Sequence, residues 1–103
     1  MPEYNWKPIN FALINLTCLH RLPDLLASWL PDGRLYGREW VALNPTRSDR
    51  RAGSFRINLD KGCWADFATG DKGGDPISLF AYLRGLSQSQ AALCLRKEWG
   101  VGQ

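Results

Sequence analysis

Residues 53–80 read GSFRINLDKGCWADFATGDKGGDPISLF, and the reading of this stretch decides the fold. Phe55, Ile57 and Leu59 alternate with Ser54, Arg56 and Asn58, the period of a strand with one apolar face. Asp60-Lys61-Gly62 supplies a tight hairpin turn in which Gly62 takes positive φ. On the return strand Cys63, Ala65 and Phe67 alternate with Trp64 and Asp66. A glycine-rich loop, Thr69-Gly70-Asp71-Lys72-Gly73-Gly74, leads to Asp75 as N-cap and Pro76 at the first helical position. Gly74, directly before the cap, is expected to need the same freedom as Gly62. The stretch is thus strand, turn, strand, loop and helix start.

Working outward, Ile77, Leu79, Phe80 and Leu83 give the helix from Asp75 to Arg84 a broad apolar face, and Gly85 stops it. Ser87 and Gln90 form a capping box, with Leu86 placed to staple onto Ala91, for a last helix running to about Trp99. Upstream, Leu22, Leu25, Leu26, Trp29 and Leu30 recur at helical spacing, so a helix is expected from about Pro23 to Leu30. Phe11–Leu19 is apolar and fits helix or strand. Arg34–Leu43 reads as one strand or two short ones, with Gly37 at a bulge or turn. Asn44–Gly53 is a polar loop, and residues 1–10 form an irregular arm. The expectation is one α+β domain over residues 1–103: a small antiparallel sheet flanked by helices, held by Trp40, Phe55, Trp64 and Phe67.

Gly-Ser-Phe-Arg-Ile, Asp-Phe-Ala-Thr-Gly and Gly-Gly-Asp-Pro-Ile-Ser-Leu-Phe together resemble the N-terminal zinc-binding, zinc-ribbon domain of bacterial and phage DNA primases. The resemblance covers roughly Leu22 to Trp99. In that family the metal is held by Cys-Pro-x-His before the strand and Cys-x-x-Cys-Gly after the hairpin. The matching positions here are Asn44 and Arg47, then Asp66 and Thr69. None is Cys or His, whereas structural zinc takes four such ligands in close pairs. The resemblance therefore implies a zinc-ribbon-like fold without zinc, and no cofactor. It also implies a template-recognition module of a phage or mobile-element primase or primase–helicase. Polymerisation belongs to a separate catalytic domain in that family.

Composition is compatible with this. The chain has 103 residues, net charge +3 and five Trp. Between Gly33 and Lys61 lie Arg34, Arg38, Arg47, Arg50, Arg51, Arg56 and Lys61 against Glu39, Asp49 and Asp60, a concentration of positive charge suited to a polyanion, although a solvated charged loop has the same composition. Arg47, Arg50, Arg51, Arg56, Lys61 and Lys72 are the expected phosphate contacts for single-stranded DNA. Trp64, on the strand face opposite Cys63 and Ala65, is the expected stacking platform, with Phe55 and Phe67 assigned to the core. Lys72-Gly73-Gly74 fits a structural turn better than a phosphate cradle, because Asp71 and Asp75 repel anions. Cys18, Cys63 and Cys94 lack paired spacing and read as buried thiols; Cys18 and His20 alone do not make a metal site. No catalytic constellation and no Walker sequence is present. No apolar run spans a membrane and no signal-peptide pattern opens the chain, so the cytoplasm is the expected compartment. A second function class remains open: a protein-interaction module docking a replicative polymerase or helicase.

Overall fold

The computed structural model describes residues 8–47 and 53–102. Its elements run α1 (Phe11–His20), α2 (Leu22–Trp29), β1 (Arg34–Tyr36), β2 (Glu39–Ala42), β3 (Phe55–Asn58), β4 (Trp64–Asp66), β5 (Lys72–Gly73), α3 (Pro76–Arg84) and α4 (Gln88–Glu98). The strands form one antiparallel sheet in the order β1-β2-β3-β4-β5. The fold is α+β, as the sequence leads one to expect. Arg34–Leu43 resolves into two strands joined at Gly37, whose φ of 61° only glycine adopts readily. Phe11–His20 is a helix: the Asn10 side chain accepts from the Leu13 amide and caps it.

The cores meet on α3. On one side Leu22, Leu26 and Leu30 from the α2 segment join Ala42, Phe55, Ile57, Trp64 and Leu79. On the other, Ile14 and Cys18 of α1 pack with Ile77 and Phe80 of α3, and with Ala91, Ala92 and Leu95 of α4. Both ends of α3 are specified by sequence. Asp75 and Ser78 form a reciprocal capping box, and Gly85 closes the helix in the left-handed conformation. Asn15 Oδ1 also accepts from the Ile77 amide at 2.9 Å, which ties α1 to the first turn of α3. Ser87 and Gln90 cap α4 in the same reciprocal way.

Two tryptophans are seated on glycines. The Trp40 indole lies over Gly33 and donates to the Leu30 carbonyl at 3.2 Å, which fastens the end of α2 to the sheet. The Trp64 indole lies over Gly73, its cross-strand partner, and donates to Ser78 Oγ at 2.9 Å. A Cβ on Gly73 would fall 2.4 Å from both Trp64 Nε1 and Ser78 Oγ. Trp64 is therefore a core residue, 6% exposed, stacked near Phe55 and Tyr82. This corrects the expectation that it faces solvent. Phe67 is corrected in the opposite sense: it is 72% exposed.

Gly62 has the expected positive φ, 77°, and a Cβ there would also meet Pro76 Cδ at 2.9 Å. Gly74 does not: its φ is not positive and a Cβ would find open space. The constraint falls one residue earlier, on Gly73. Urea midpoints should accordingly rank these sites. Gly73→Ala is expected to cost about 2–3 kcal/mol through overpacking against Trp64, Gly62→Ala about 1 kcal/mol or more, and Gly74→Ala close to nothing. Equal midpoints for Gly73→Ala and Gly74→Ala would contradict the seating of Trp64.

Candidate nucleic-acid interface

Antiparallel partners share a face of the sheet, so the strand register sorts every side chain. The inner face carries Trp40, Ala42, Phe55, Ile57, Trp64 and Asp66, and the helices cover it. The outer face carries one row running through all five strands: Arg34, Val41, Arg56, Ala65 and Lys72. Three cations thus cross the sheet at right angles to the strands, over about 19 Å at ~4.8 Å per strand. Tyr36, 61% exposed, lies one row away through its partners Glu39 and Asn58. Phe67 lies beyond the other side of the cation row, its amide donating to the Ser54 carbonyl at 2.8 Å. Between them is a shallow hollow of about 140 Å³, lined in part by Glu39, Arg56, Asn58, Cys63 and Phe67.

Arg56 is held over this face by its Nε–H donating to the Gly53 carbonyl at 2.9 Å and by an ion pair with Glu39 at 3.2 Å. Both side chains of the pair are roughly two-fifths exposed, 41% and 37%. Such a pair stabilises by less than ~1 kcal/mol, so exchanging Glu39 for a phosphate oxygen costs little. Lys72 and Lys61 are exposed on β5 and in the hairpin turn. At that turn Asn58 Oδ1 accepts from the amides of Asp60 and Lys61, and Arg38 pairs with Asp60.

Arg47 has a different role. Its guanidinium reaches inward and donates to Asp66 Oδ2 at 3.0 Å. Asn44 Nδ2 donates to the same oxygen at 2.8 Å and to the Tyr82 hydroxyl at 2.8 Å, and the Ala68 amide donates to Asp66 Oδ1 at 2.8 Å. Tyr82 in turn donates to Asp71 at 2.8 Å. Asn44 and Asp66 are the two buried polar residues among those described. Burial pushes the Asp66 carboxyl up, but the hydrogen bonds from Asn44, Ala68, Ser54 and Arg47 outweigh it and hold the group at about 2. Arg50 and Arg51 lie outside the described residues.

The four positions matching zinc ligands in the resembled family sit on two facing turns. In the first, the Arg47 amide donates to the Asn44 carbonyl at 3.1 Å. In the second, the amides of Thr69 and Gly70 donate to the Asp66 carbonyl at 3.3 and 2.8 Å, and Gly70 takes φ 85°. Asn44, Arg47 and Asp66 join the turns directly, while Thr69 Oγ1 accepts from the Asp71 amide. This set does not fit zinc: a guanidinium cation occupies the coordination space of the one carboxylate. Among the described residues no group of three or more His, Cys, Asp or Glu is placed to hold a metal.

Of the three thiols expected to be buried only Cys18 is; Cys63 and Cys94 are partly exposed. Burial pushes the Cys18 thiol up to about 12. The Cys94 thiol donates to Glu98, whose carboxylate raises it. Cys18, Cys63 and Cys94 are all free thiols. No described helix is long and apolar enough to cross a membrane. Compared with protein-family models, with curated proteins and with solved structures, the chain returns no match.

Because the Asp66 carboxyl is depressed in the folded state, its contribution to stability is present above the ordinary aspartate range and is lost as pH falls from about 4 towards about 2. Asp66→Asn should remove this acid step from the stability profile. It should also lower stability at neutral pH by about 2 kcal/mol, since the polar groups around it lose their acceptor. Urea titrations from pH 2 to 7 measure both. An acid transition unchanged in Asp66→Asn would assign that step to another group.

Proposed function

We propose that the chain is a single-stranded DNA-binding module, related to the template-recognition domain of phage or mobile-element primases, that binds DNA on the outer face of its sheet. One observation carries the reading: the row Arg34, Arg56, Lys72 crosses the sheet face opposite the helices, flanked by exposed Tyr36 and Phe67, with Val41 buried between Arg34 and Arg56. Single strands are held by cations on phosphates and by aromatic faces on bases, and this face offers both. The basic residues of the β2–β3 connection, Arg50 and Arg51, and Lys61 at the hairpin turn belong to the same proposal. Trp64 does not, because its ring is in the core. Arg47 contributes by holding the loop rather than by meeting a phosphate.

The kinship with the primase domain is supported by the two facing turns at Asn44–Arg47 and Asp66–Gly70, bridged where that family places its metal. On this reading the module folds without metal, works in the cytoplasm and serves a helicase or a primase catalytic domain. Purified protein should carry well under one zinc per chain, and a strong chelator should leave its melting curve in place. Stoichiometric zinc whose removal unfolds the protein would sink the metal-free reading.

DNA binding is tested by fluorescence titration with a short oligonucleotide at several salt concentrations. The three cations of the row alone give a slope of log affinity against log salt of about −2, at ~0.7 per contact, and each of Arg50, Arg51 and Lys61 that meets a phosphate steepens it by ~0.7. Arg56→Ala and Lys72→Ala should each make the slope shallower by ~0.7 and weaken all sequences alike. Phe67→Ala should cost roughly 1–3 kcal/mol of binding with the slope unchanged, and its exposed position leaves folding intact. Absence of binding by the parent at low salt would favour the alternative, in which the same aromatic face docks a replication protein.

A further inference from the structure

The sheet is open at β1. All three β1 residues are exposed, Leu35 at 57%. Tyr36 and Glu39 pair across the two-residue turn Gly37-Arg38, so they exchange both ladder hydrogen bonds, as does the pair Arg34–Val41 two residues back. The backbone groups of Leu35 therefore point away from β2, towards the free edge. Such an edge is a template for another strand unless it is blocked by bulges, prolines or lysines. β5 is so protected by its two-residue length and by Lys72; β1, three residues long, has neither Pro nor Lys and only Arg34 as a charge.

We propose that this edge pairs with β1 of a second copy of the chain, antiparallel about a twofold axis at Leu35, to give a continuous ten-stranded sheet. The sequence of the edge is self-complementary in that register. Leu35 meets Leu35 of the second copy as a hydrogen-bonded pair, exchanging the two bonds that the monomer leaves open. On the inner face the two Leu side chains cover one another beside Trp40, the cross-strand partner of Leu35. On the outer face Arg34 meets Tyr36 of the second copy, twice, in the closer non-hydrogen-bonded geometry that lets a guanidinium lie against a ring. Gly33 falls opposite Gly37, so no side chain obstructs the approach. No like charges face each other. Among the described residues Arg34 has no ion pair and Tyr36 no side-chain hydrogen bond, so pairing breaks no described contact.

The interface is short, well below the ~1,200–2,000 Å² of a stable complex, and the dimer is accordingly a weak one, forming at high micromolar concentration. Its consequence is geometric: the two cation rows run parallel, offset by two residues or about 7 Å along the strands, and the second copy extends the outer face. The pairing rests on the edge and its register, independently of the DNA-binding reading.

Sedimentation of the free protein from 10 µM to about 1 mM tests it without nucleic acid. The parent should shift from monomer towards dimer over this range. Tyr36→Arg sets like charges opposite each other at both ends of the pairing and should weaken association at least tenfold. It leaves the fold intact because Glu39 is its intrachain neighbour. Arg34→Glu together with Tyr36→Arg sets opposite charges in those places and should restore or exceed the parent's association. Leu35→Pro, which removes the outward amide donor at an edge position that tolerates proline, should abolish it. A parent that stays monomeric throughout, or a dimer indifferent to Tyr36→Arg and Leu35→Pro, overturns the proposal.

Discussion

A single buried carboxylate organises this structure. Asp66 ends β4 with its side chain on the inner face of the sheet, completely withdrawn from water. An isolated charge in that position is unsustainable, so the surrounding chain must supply donors. Asn44, Arg47, Ala68 and Ser54 do so. The loop after β2 and the turn after β4 are thereby joined through one residue. Tyr82 extends the linkage to α3 by accepting from Asn44 and donating to Asp71. Charge and hydrogen bonds hold the two turns together, which makes the linkage sensitive to acid.

The position of Asp66 also fixes the parity of β4. With Asp66 inward, Trp64 must be inward too, and Cys63, Ala65 and Phe67 must face out. The large indole then needs space beside a neighbouring strand, and Gly73 provides it. The indole N–H needs an acceptor, and Ser78, part of the α3 capping box, provides that. The helix start, the glycine loop and the hairpin are thus specified together. Gly62 completes the arrangement by letting the hairpin turn close against Pro76.

The proposed binding face is what this core leaves over. Once the bulky inner residues are committed, the outward positions include Arg34, Arg56 and Lys72 with Tyr36 and Phe67, and Val41 and Ala65 between the cations. A face with that composition has no use in the interior and a physical match to single strands: spaced charge for phosphates and planar surface for bases. The same openness leaves the β1 edge available to a second chain.

Local pattern alone determined much of this protein. The caps at Asp75 and Ser87, the stop at Gly85, the turn at Gly62 and the apolar spacing of α2 and α3 are set by residues within a few positions of one another. So the α+β class and the hairpin were legible in the chain. The meeting of Asn44 and Arg47 with Asp66 was not legible, because nothing local predicts that a carboxylate and a guanidinium meet across 19 residues. The faces of β4 were not legible. Alternation places Cys63, Ala65 and Phe67 together as the apolar set, and the rule that apolar residues turn inward then sends Phe67 to the core and Trp64 to solvent. The tertiary structure reversed that assignment because Asp66 finds four donors inside, a stabilisation that no period-2 count registers. Phe67, the aromatic left outside by that reversal, is also the stacking candidate that sequence reasoning missed.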